Sequence, residues 1–471
     1  MFPAVPEACL RRKLLRAGPL SFPPVEAARP SLFSLLRRSL ALLGLIGRAA
    51  GLYLRTALVG RGWLRTPPER LQASYSRFAQ RFVVVATRYR AGLIKLGQLA
   101  SLRFDVLPEE ISRELSRLQD RVPAHSAEEI AAQLARELGG PPEAWFASFE
   151  AEPLAAASLG QVHVARSMKG EKLAVKVLYP GIERSVAVDL AMARLALWLF
   201  DFVAVADLGQ VYRQIRASIL GEMDYVREGR AAEEVARNLA SDPELAMHVR
   251  IPRIHWDTTT RRVLTMEFLE GEKIHDPQRG SSLAADREEA VRWATRAFLH
   301  MIFKDGFFHC DPHPGNLLVD AEGRVGIVDF GMNQRIEPTA LAALRRNVFA
   351  SMRRDPDLYA ESLLEAGMIQ PRDVPTVKEM AELAFDPRYF DLTPKEMMEM
   401  DLGDYVRRMR GQMKRIKSFQ LPDGLVMWSR AFSLLYGLHT ELAPGIRPLE
   451  LIGPYVLEFL QSPPPEGANR S

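Results

Sequence analysis

The spacing of hydrophobic residues changes along the chain and predicts where helices give way to strands. From residues 31 to 138, apolar residues recur three and four positions apart, the spacing of helices with one buried face. This spacing ends near Phe149. Short β-branched runs follow at Gly160–Ala165 and Lys172–Leu178, on either side of the turn Lys169-Gly170, and they predict a β-hairpin.

The second half of the chain is predicted to be mostly helical. A helical region at Ile182–Leu245 is followed by strand-like runs at His248–His255 and Arg262–Phe268. A second short hairpin is predicted at Leu317–Val319 and Val325–Val328. The order along the chain is therefore helices, then strands, then helices again.

These patterns divide the chain into segments. Ser126 is predicted to cap a helix, with Glu129 at the capping-box position. Prolines and a scarcity of acids mark the N-terminal residues as a loose leader. The predicted segments are a flexible basic leader at 1–30, a helical extension at 31–148, a strand-rich lobe with a long helix at 149–270, a helical lobe at 271–461 and a tail at 462–471.

Composition excludes several classes of protein. Of 471 residues, 47% are hydrophobic and 25% are charged, which is typical of a globular protein. Two cysteines are too few for a disulfide framework or a four-cysteine zinc site. The net charge of +4 comes from the first 60 residues, and the near-neutral remainder has no basic stripe for nucleic acid.

The basic N-terminal region raises the question of membrane contact. No window of 18 uncharged apolar residues is present, so no ordinary membrane span is predicted. Ser39–Leu64 instead has the pattern of a basic amphipathic helix on an anionic membrane surface, or of a helix that packs on the body with its arginines exposed. A cytoplasmic protein with peripheral membrane contact is expected, and a mitochondrial transit peptide stays open.

The stretch Phe307–Asn316 concentrates polar side chains in a loop. Two prolines exclude a helix there, so the backbone is rigid. Asp329-Phe330-Gly331 follows across the second predicted hairpin. Asp311, Asn316 and Asp329 supply the base and oxygen ligands of Mg²⁺-assisted phosphoryl transfer, for which protein kinases use H-R-D-x-x-x-x-N and D-F-G. Taken alone, Asp311 could instead cap the turn. His309 is open to another interpretation, a buried core histidine.

Lys176 lies inside the apolar run Leu173–Val177. A lysine in such a strand costs desolvation unless an anion meets it, so it is predicted to hold phosphates. The alternative is a lysine that reaches solvent at the strand edge.

The carboxylate partner of Lys176 is expected in Gly221–Glu228. On a continuous helix, Asp224 and Glu228 share a face and Glu222 points elsewhere. Glu228 is therefore predicted to pair with Lys176, which leaves Glu222 for another cation.

A loop of small residues precedes this strand. It carries alanines where a kinase has a glycine-rich loop, and alanine allows fewer backbone conformations. A nucleotide bound there should therefore adopt a different geometry; taken alone, the segment is only a turn. The predicted nucleotide-binding residues of the loop are Ala155, Ala156, Ala157, Ser158, Gly160 and Gln161.

Motifs in a fixed order resemble the UbiB-type atypical kinases, which include the AarF and ADCK proteins. The resemblance covers about residues 80 to 340 and rests on Lys95-Leu96-Gly97-Gln98, the alanine-rich loop, the Glu-x-Asp of Glu222 and Asp224, and Asp311–Asn316. It implies an α+β, atypical protein-kinase-like fold of two lobes with an N-terminal helical extension.

The resemblance also implies roles for residues. Lys176 and Glu228 would form the ion pair that holds phosphates, Asp329 and Asn316 would bind Mg²⁺, and Asp311 would occupy the position of the catalytic aspartate.

For the extension, the resemblance implies a regulatory role. Lys95 and Gln98 would fold over the active site, with Glu222 or Asp224 pairing Lys95. The adenine-contacting hinge would be Met266–Leu269, through Met266, Glu267 and Leu269.

The expected function is that of an Mg²⁺-dependent ATP-binding kinase or ATPase supporting ubiquinone biosynthesis or lipid homeostasis, with a quinone precursor or lipid and a membrane surface as partners. No A-P-E follows Gly331, and a helical pattern starts at Pro338, so little room is left for an activation loop. Two alternatives stay open, a small-molecule phosphotransferase of the aminoglycoside or choline type and a non-catalytic nucleotide-gated lipid-binding protein. A homodimer also stays open.

Overall fold

A computed structural model gives the fold. It describes residues 31–60, 63–64, 66–101, 109–115, 118, 124–200, 208–275, 287–390, 392, 396, 400, 403–416, 423–443 and 457–458. The predicted leader and tail lie outside these ranges. The described residues form two compact units, one up to Val226 with Ile254–Phe268, the other of Arg227–Arg253 with the residues from Leu269 onward.

The described part of the first unit has seven α-helices, five of them where the sequence predicts helical spacing from residue 31 to 138. The predicted cap is confirmed: Ser126 Oγ accepts from Glu129 N, and Ser126 N donates to the Glu129 carboxylate. The helices are α1 Leu32–Gly60, α2 Pro68–Tyr89, α3 Gly92–Ser101, α4 Glu109–Leu115, α5 Ala127–Leu138, α6 Ile182–Phe200 and α7 Leu208–Glu222.

The first unit also holds an antiparallel sheet in the order β1-β3-β4-β6, with β2 beside β3. The predicted hairpin is confirmed as β3 and β4, and Gly170 takes φ +86° in its turn. The strands are β1 Phe146–Phe149, β2 Ala155–Ala156, β3 Gly160–Ser167, β4 Lys172–Leu178 and β6 Val263–Glu267.

The second unit is mainly helical. Its strands are β5 Val249–Arg250, β7 Glu272–Lys273, β8 Phe307–His309, β9 Leu317–Val319, β10 Val325–Ile327 and β11 Asn333–Arg335. Its helices are α8 Tyr225–Leu239, which begins at the end of the first unit, α9 Pro243–His248, α10 Arg287–Leu299 with a π-helical turn at His300–Lys304, α11 Pro338–Arg353, α12 Pro356–Glu365, α13 Val374–Ala384, α14 Pro387–Phe390, α15 Gly403–Arg415 and α16 Asp423–Leu442.

Two small sheets support the loops of the second unit. The predicted second hairpin is confirmed as β9 and β10, in the order β5-β10-β9-β7, and β8 pairs with β11. Phe298, Phe303, Phe308 and Phe330 are almost completely buried around them. These aromatic side chains form the core on which the polar loops rest.

The helical region predicted over Ile182–Leu245 is confirmed where it is described, as the separate helices α6 to α9. One strand prediction needs correction. Of the strand-like run His248–His255, only β5 is a strand, because Pro252 has no N–H for a ladder. Residues 227–253, expected in the strand-rich lobe, group with the second unit, where β5 pairs with β10.

Helix α1 packs on the body but keeps an apolar surface. It contacts α2 and α6 and buries Arg38, Leu42 and Leu45. Of the two interpretations of Ser39–Leu64, packing is therefore observed, with Arg48 exposed as expected and Arg55 half-buried. Leu32–Val59 is long and apolar enough to cross a membrane, and only 11% of it is buried, so the prediction of no qualifying span is wrong by this measure.

Candidate active site

Lys176 lies in the middle of β4. Val175 and Val177, on the opposite face of the strand, are fully buried, whereas Lys176 is half-buried, as the period of two along a strand requires. Its Nζ atom lies 5.5 Å from the centre of the Tyr225 ring. Glu228 is buried in the first turn of α8, in the second unit, so its predicted pairing with Lys176 stays a prediction.

The single helix expected to carry Glu222 and Glu228 is interrupted between them. Helix α7 ends at Glu222, α8 begins at Tyr225, and Tyr225 N donates to Arg261 O at 3.1 Å. The angle predicted between Glu222 and Glu228 on one helix therefore does not apply, because the two residues belong to different helices.

Glu222, at the end of α7, and Asp224, after it, contact different basic residues. Lys95 Nζ lies 3.0 Å from Glu222 Oε2, and their side chains are only 16% and 11% exposed. Asp224 lies instead 3.3 Å from Arg261 at the surface. Of the two acids left open by the resemblance, Glu222 meets Lys95 in the structure, whereas the regulatory role stays a prediction.

The other residues of the Lys95 motif pack α3 against its neighbours. Gln98 Nε2 donates to Leu118 O at 3.1 Å. A Cβ atom on Gly97 would lie 2.2 Å from Leu118 Cδ1 and 2.9 Å from Phe82 Cε1, so a larger residue would push α3 away. The motif thus fixes the helix that presents Lys95.

The start of α3 is fixed by a buried ion pair. Arg90 and Ala91, between α2 and α3, have φ values of +56° and +54°, which are rare for residues other than glycine. Arg38 donates to Arg90 O at 3.0 Å and to the Asp189 carboxylate at 2.5 Å. A Cβ on Gly92 would lie 2.9 Å from Asp189, so glycine is required there.

The alanine-rich loop is a tight turn between β2 and β3. Ala157 N donates to Gly160 O at 2.8 Å, and Tyr179 OH donates to Ala157 O at 2.9 Å. A Cβ on Gly160 would lie 2.4 Å from Val177 O. Residues Ala155 and Ala156 pair with β3, so the loop has little freedom to change shape.

Two polar side chains of this loop differ in their surroundings. Gln161 is buried, accepts from His125 N at 2.9 Å and bonds His163 Nε2 at 2.8 Å, so its amide stabilises the fold. Burial lowers the pKa of His163. Ser158 Oγ is buried and has no hydrogen-bond partner within the part of the chain that the structure describes.

The predicted hinge lies at the end of β6. Met266 is opposite Ala174 of β4, and Glu267 is opposite Leu173. Met266 and Leu269 are both buried. Contact of this segment with adenine stays a prediction.

In the second unit, His309 joins two loops. Its Nε2 donates to Asp329 O at 2.8 Å, and its Nδ1 accepts from Asp311 N at 2.9 Å, so the neutral ring carries its hydrogen on Nε2. The ring is fully buried, edge-on to Phe298 and Phe330, and burial lowers its pKa. The interpretation of His309 as a core histidine is confirmed, and through it the loops share one support.

The side chains predicted to bind metal remain accessible. Asp329 is exposed and has φ +66°, a strained conformation that the bond from His309 helps to hold. Asn316 Nδ2 donates to Asp311 O at 3.1 Å, so its amide oxygen remains an acceptor. No group of three or more His, Cys, Asp or Glu residues forms a metal site among the described residues.

One contact of Asp311 escaped the sequence analysis. Arg430 of α16 donates to Asp311 Oδ1 at 2.9 Å, with side chains 19% and 22% exposed. Arg430 is the lone charge in an apolar stretch of α16, with no acid three or four residues away, a pattern that signals a distant partner.

Comparison with known proteins identifies the family. A family model described as the ABC1 atypical kinase-like domain matches residues 117–363. The chain belongs to the ABC1 atypical kinase-like family. The ABC1 match includes the residues of both candidate loops and Lys176, but it excludes Lys95 and Arg430.

Relatives of this ABC1 chain occur in bacteria and plants. A Synechocystis protein, "Uncharacterized protein sll0095", is 32% identical over 85% of this chain and 70% of its own length. "Protein ACTIVITY OF BC1 COMPLEX KINASE 7, chloroplastic" of Arabidopsis thaliana is 32% identical over 78% of this chain and 52% of its own length. "Probable protein kinase UbiB" of Marinobacter nauticus is 29% identical over 78% of this chain and 67% of its own length.

The chain thus spans about half the length of this plant relative and two thirds or more of the length of these two bacterial relatives. These findings confirm the predicted UbiB resemblance and the kinase-like fold class. The short connection after the Asp-Phe-Gly tripeptide is also observed, since β11 begins at Asn333 and α11 at Pro338.

Proposed function

We propose that this ABC1 protein binds ATP with Mg²⁺ and acts as a phosphotransferase or ATPase in the metabolism of quinones or other lipids. The observation that supports this most strongly is the bridge made by His309. It fixes the backbones of Asp311 and Asp329 together while the carboxylate of Asp329 stays exposed. A kinase-like site needs this combination of rigid loops and accessible oxygen ligands.

The residues present fit a magnesium nucleotide. Mg²⁺ typically takes one or two carboxylates and completes its shell with phosphate and water oxygens. Asp329 and the amide oxygen of Asn316 would hold the ion, which would neutralise phosphate charge when bound. Ser158 Oγ, buried without a partner among the described residues, offers a donor within the alanine-rich loop.

The remaining roles follow from each residue's setting. Lys176, half-buried in β4, would hold a phosphate and pair with Glu228. Asp311 would orient the acceptor or take its proton, and Met266–Leu269 would contact adenine. Because little chain separates Gly331 from α11, a small or lipid acceptor is favoured over a protein.

A second function is favoured by the Arg430 contact. Arg430 donates to one oxygen of the Asp311 carboxylate and so competes with an acceptor hydroxyl for that carboxylate. The protein would then act as a nucleotide-dependent switch with lipid partners, on the cytoplasmic side of a membrane that α1 contacts.

ATP hydrolysis by the full chain, with vesicles present, tests the enzymatic proposal. We expect Lys176→Met to lower the rate on the order of 100-fold, because phosphate positioning is lost. Lys169→Met is the matched control, because Lys169 is exposed in the turn between β3 and β4, and its rate should stay within a few-fold. Equal rates for the two variants would contradict the role of Lys176, and binding without hydrolysis would favour the switch.

A further inference from the structure

A cleft of about 520 Å³ lies between α1 and α2. Spacings of three, four and seven residues place its lining on one face of each helix, so the two faces turn toward each other. The residues that line it are Arg48 and Leu52 of α1, and Ser74, Arg77, Phe78 and Arg81 of α2. We call this the arginine cleft.

The arginine cleft gathers positive charge without a counter-charge. Arg55 and Arg77 both donate to Ser74 Oγ, at 3.4 and 3.2 Å. Helix α1 contains no acidic residue, and no carboxylate pairs with Arg48, Arg77 or Arg81 within the described ranges. Like charges held together repel, so bound anions would stabilise this arrangement.

The lining indicates the chemical class of that anion. Guanidinium groups bind phosphate through paired hydrogen bonds, which favours a phosphate group over a halide or a simple carboxylate. Leu52 and Phe78 add an apolar floor beside the arginines. A ligand with a phosphate and an attached apolar part fits both.

The exposed apolar face of α1 points to a membrane as the source of such a ligand. Leu36, Leu40, Leu43 and Leu54 are between 44% and 59% exposed, and they lie on the side of α1 opposite the buried Arg38. A continuous exposed apolar face marks an interaction surface. Next to arginines, it is typical of helices in the interface of an anionic bilayer.

We propose that the arginine cleft binds the phosphate of an anionic phospholipid while the exposed leucines of α1 enter one leaflet. The proposal rests on the membrane contact included in the proposed function. It goes further by assigning the lipid class and the residues that select it, and it is independent of ATP turnover.

Co-flotation of the full chain with vesicles tests it. One set contains phosphatidylcholine alone, the other phosphatidylcholine with phosphatidylglycerol. For R48Q/R77Q/R81Q, we expect partitioning into anionic vesicles to fall on the order of 100-fold, since each arginine adds to surface attraction. The control R353Q/R372Q/R407Q removes the same charge from exposed positions of the second unit and should stay within a few-fold.

Further variants separate charge from geometry. R48K/R77K/R81K keeps the charge but loses paired hydrogen bonds, so partitioning should fall between the wild-type protein and the glutamine variant. L40S/L43S should lose binding to both vesicles. An unchanged unfolding temperature of each variant would show that it folds normally. An unchanged rise of that temperature with Mg-ATP would show that the nucleotide site is intact, so a loss of vesicle binding would concern the arginine cleft alone.

Three results would overturn the proposal. Equal partitioning of the wild-type protein into both vesicles would exclude selection of anionic lipid. Wild-type partitioning by R48Q/R77Q/R81Q would exclude the arginine cleft as its source. Complete release from anionic vesicles by inorganic phosphate at constant ionic strength would show that the cleft takes free phosphate instead.

Discussion

The two compact units hold their charged side chains in different ways. In the second unit, one neutral histidine joins two short loops through backbone groups, and an aspartate carboxylate stays exposed. In the first unit, charges meet in shielded ion pairs that fix one helix on another, Arg38 with Asp189 and Lys95 with Glu222. The second unit also has a shielded pair between distant parts of the chain, Arg430 with Asp311, but this pair lies at the candidate site itself.

A charged side chain can thus serve either to bind a ligand or to fix one helix on another. A carboxylate that receives a cation must remain accessible, and hydrogen bonds from a neutral histidine to the backbone can hold its loop without covering it. A pair that fixes one helix on another can be shielded, because nothing has to enter. Removing a charge should therefore damage folding in the first unit and ligand binding in the second.

The largest effect is expected for Asp189→Leu. Burial raises the pKa of Asp189 to about 6, and hydrogen bonds from Arg38 oppose this shift. Without the carboxylate, Arg38 is left buried and uncompensated, so the free energy of unfolding should fall by about 4 kcal/mol in urea titrations.

Two controls accompany this prediction. Glu183→Gln breaks an exposed pair with Arg262 and should cost about 0.5 kcal/mol. The double variant R38M/D189L should recover most of the loss. Wild-type stability of Asp189→Leu would show that the pair does not fix α1.

The second prediction concerns pH and the helix that carries Arg430. Burial, with help from the charge of Arg292, lowers the pKa of His439 to about 4, and His439 Nε2 bonds Thr295 at 2.7 Å. Because the unfolded chain binds this proton from about pH 6.5 downward, stability should fall by roughly 3 kcal/mol as pH drops from 6.5 to 4.

His439→Gln should flatten that part of the pH profile. The comparison is the difference in unfolding free energy between variant and wild-type protein at each pH, which cancels the other titrating groups. A difference that does not change with pH would contradict the buried, neutral state of His439.

A smaller effect is expected for Gly160→Ala. The added Cβ would meet Val177 O at 2.4 Å, so β3 and β4 must shift, at a cost of about 2 kcal/mol. Gly411→Ala is the control, since open space surrounds that helical position and alanine favours the helix. Equal thermal stability of the two variants would show that the loop adapts freely.

Much of the second-unit site could be predicted because its signals are local. Asp311, Asn316 and Asp329 lie in two neighbouring loops joined by a hairpin, and turn residues indicated that hairpin. The capping box at Ser126 and the hairpin before Lys176 were equally local.

The distant pairings could not be predicted in the same way. Arg38 and Asp189 are 151 residues apart, and Arg430 and Asp311 are 119 apart, so no periodicity links them. The break after Glu222 depends on a backbone bond to Arg261, which propensity does not reveal. The signal available for these two ion pairs was a single charged residue in an apolar stretch of helix, Asp189 in one pair and Arg430 in the other.

Thermal unfolding of the full chain with Mg²⁺ and ATP tests the central claim most directly. At a hundred times its dissociation constant, the nucleotide should add about 2.7 kcal/mol, a rise of a few degrees, only when both components are present. Asp329→Asn should unfold like the wild-type protein without ligand, since asparagine tolerates a positive φ, and should show no rise. Glu322→Gln, in the exposed hairpin turn, should respond like the wild-type protein. An equal rise in Asp329→Asn, or a rise without Mg²⁺, would contradict the account.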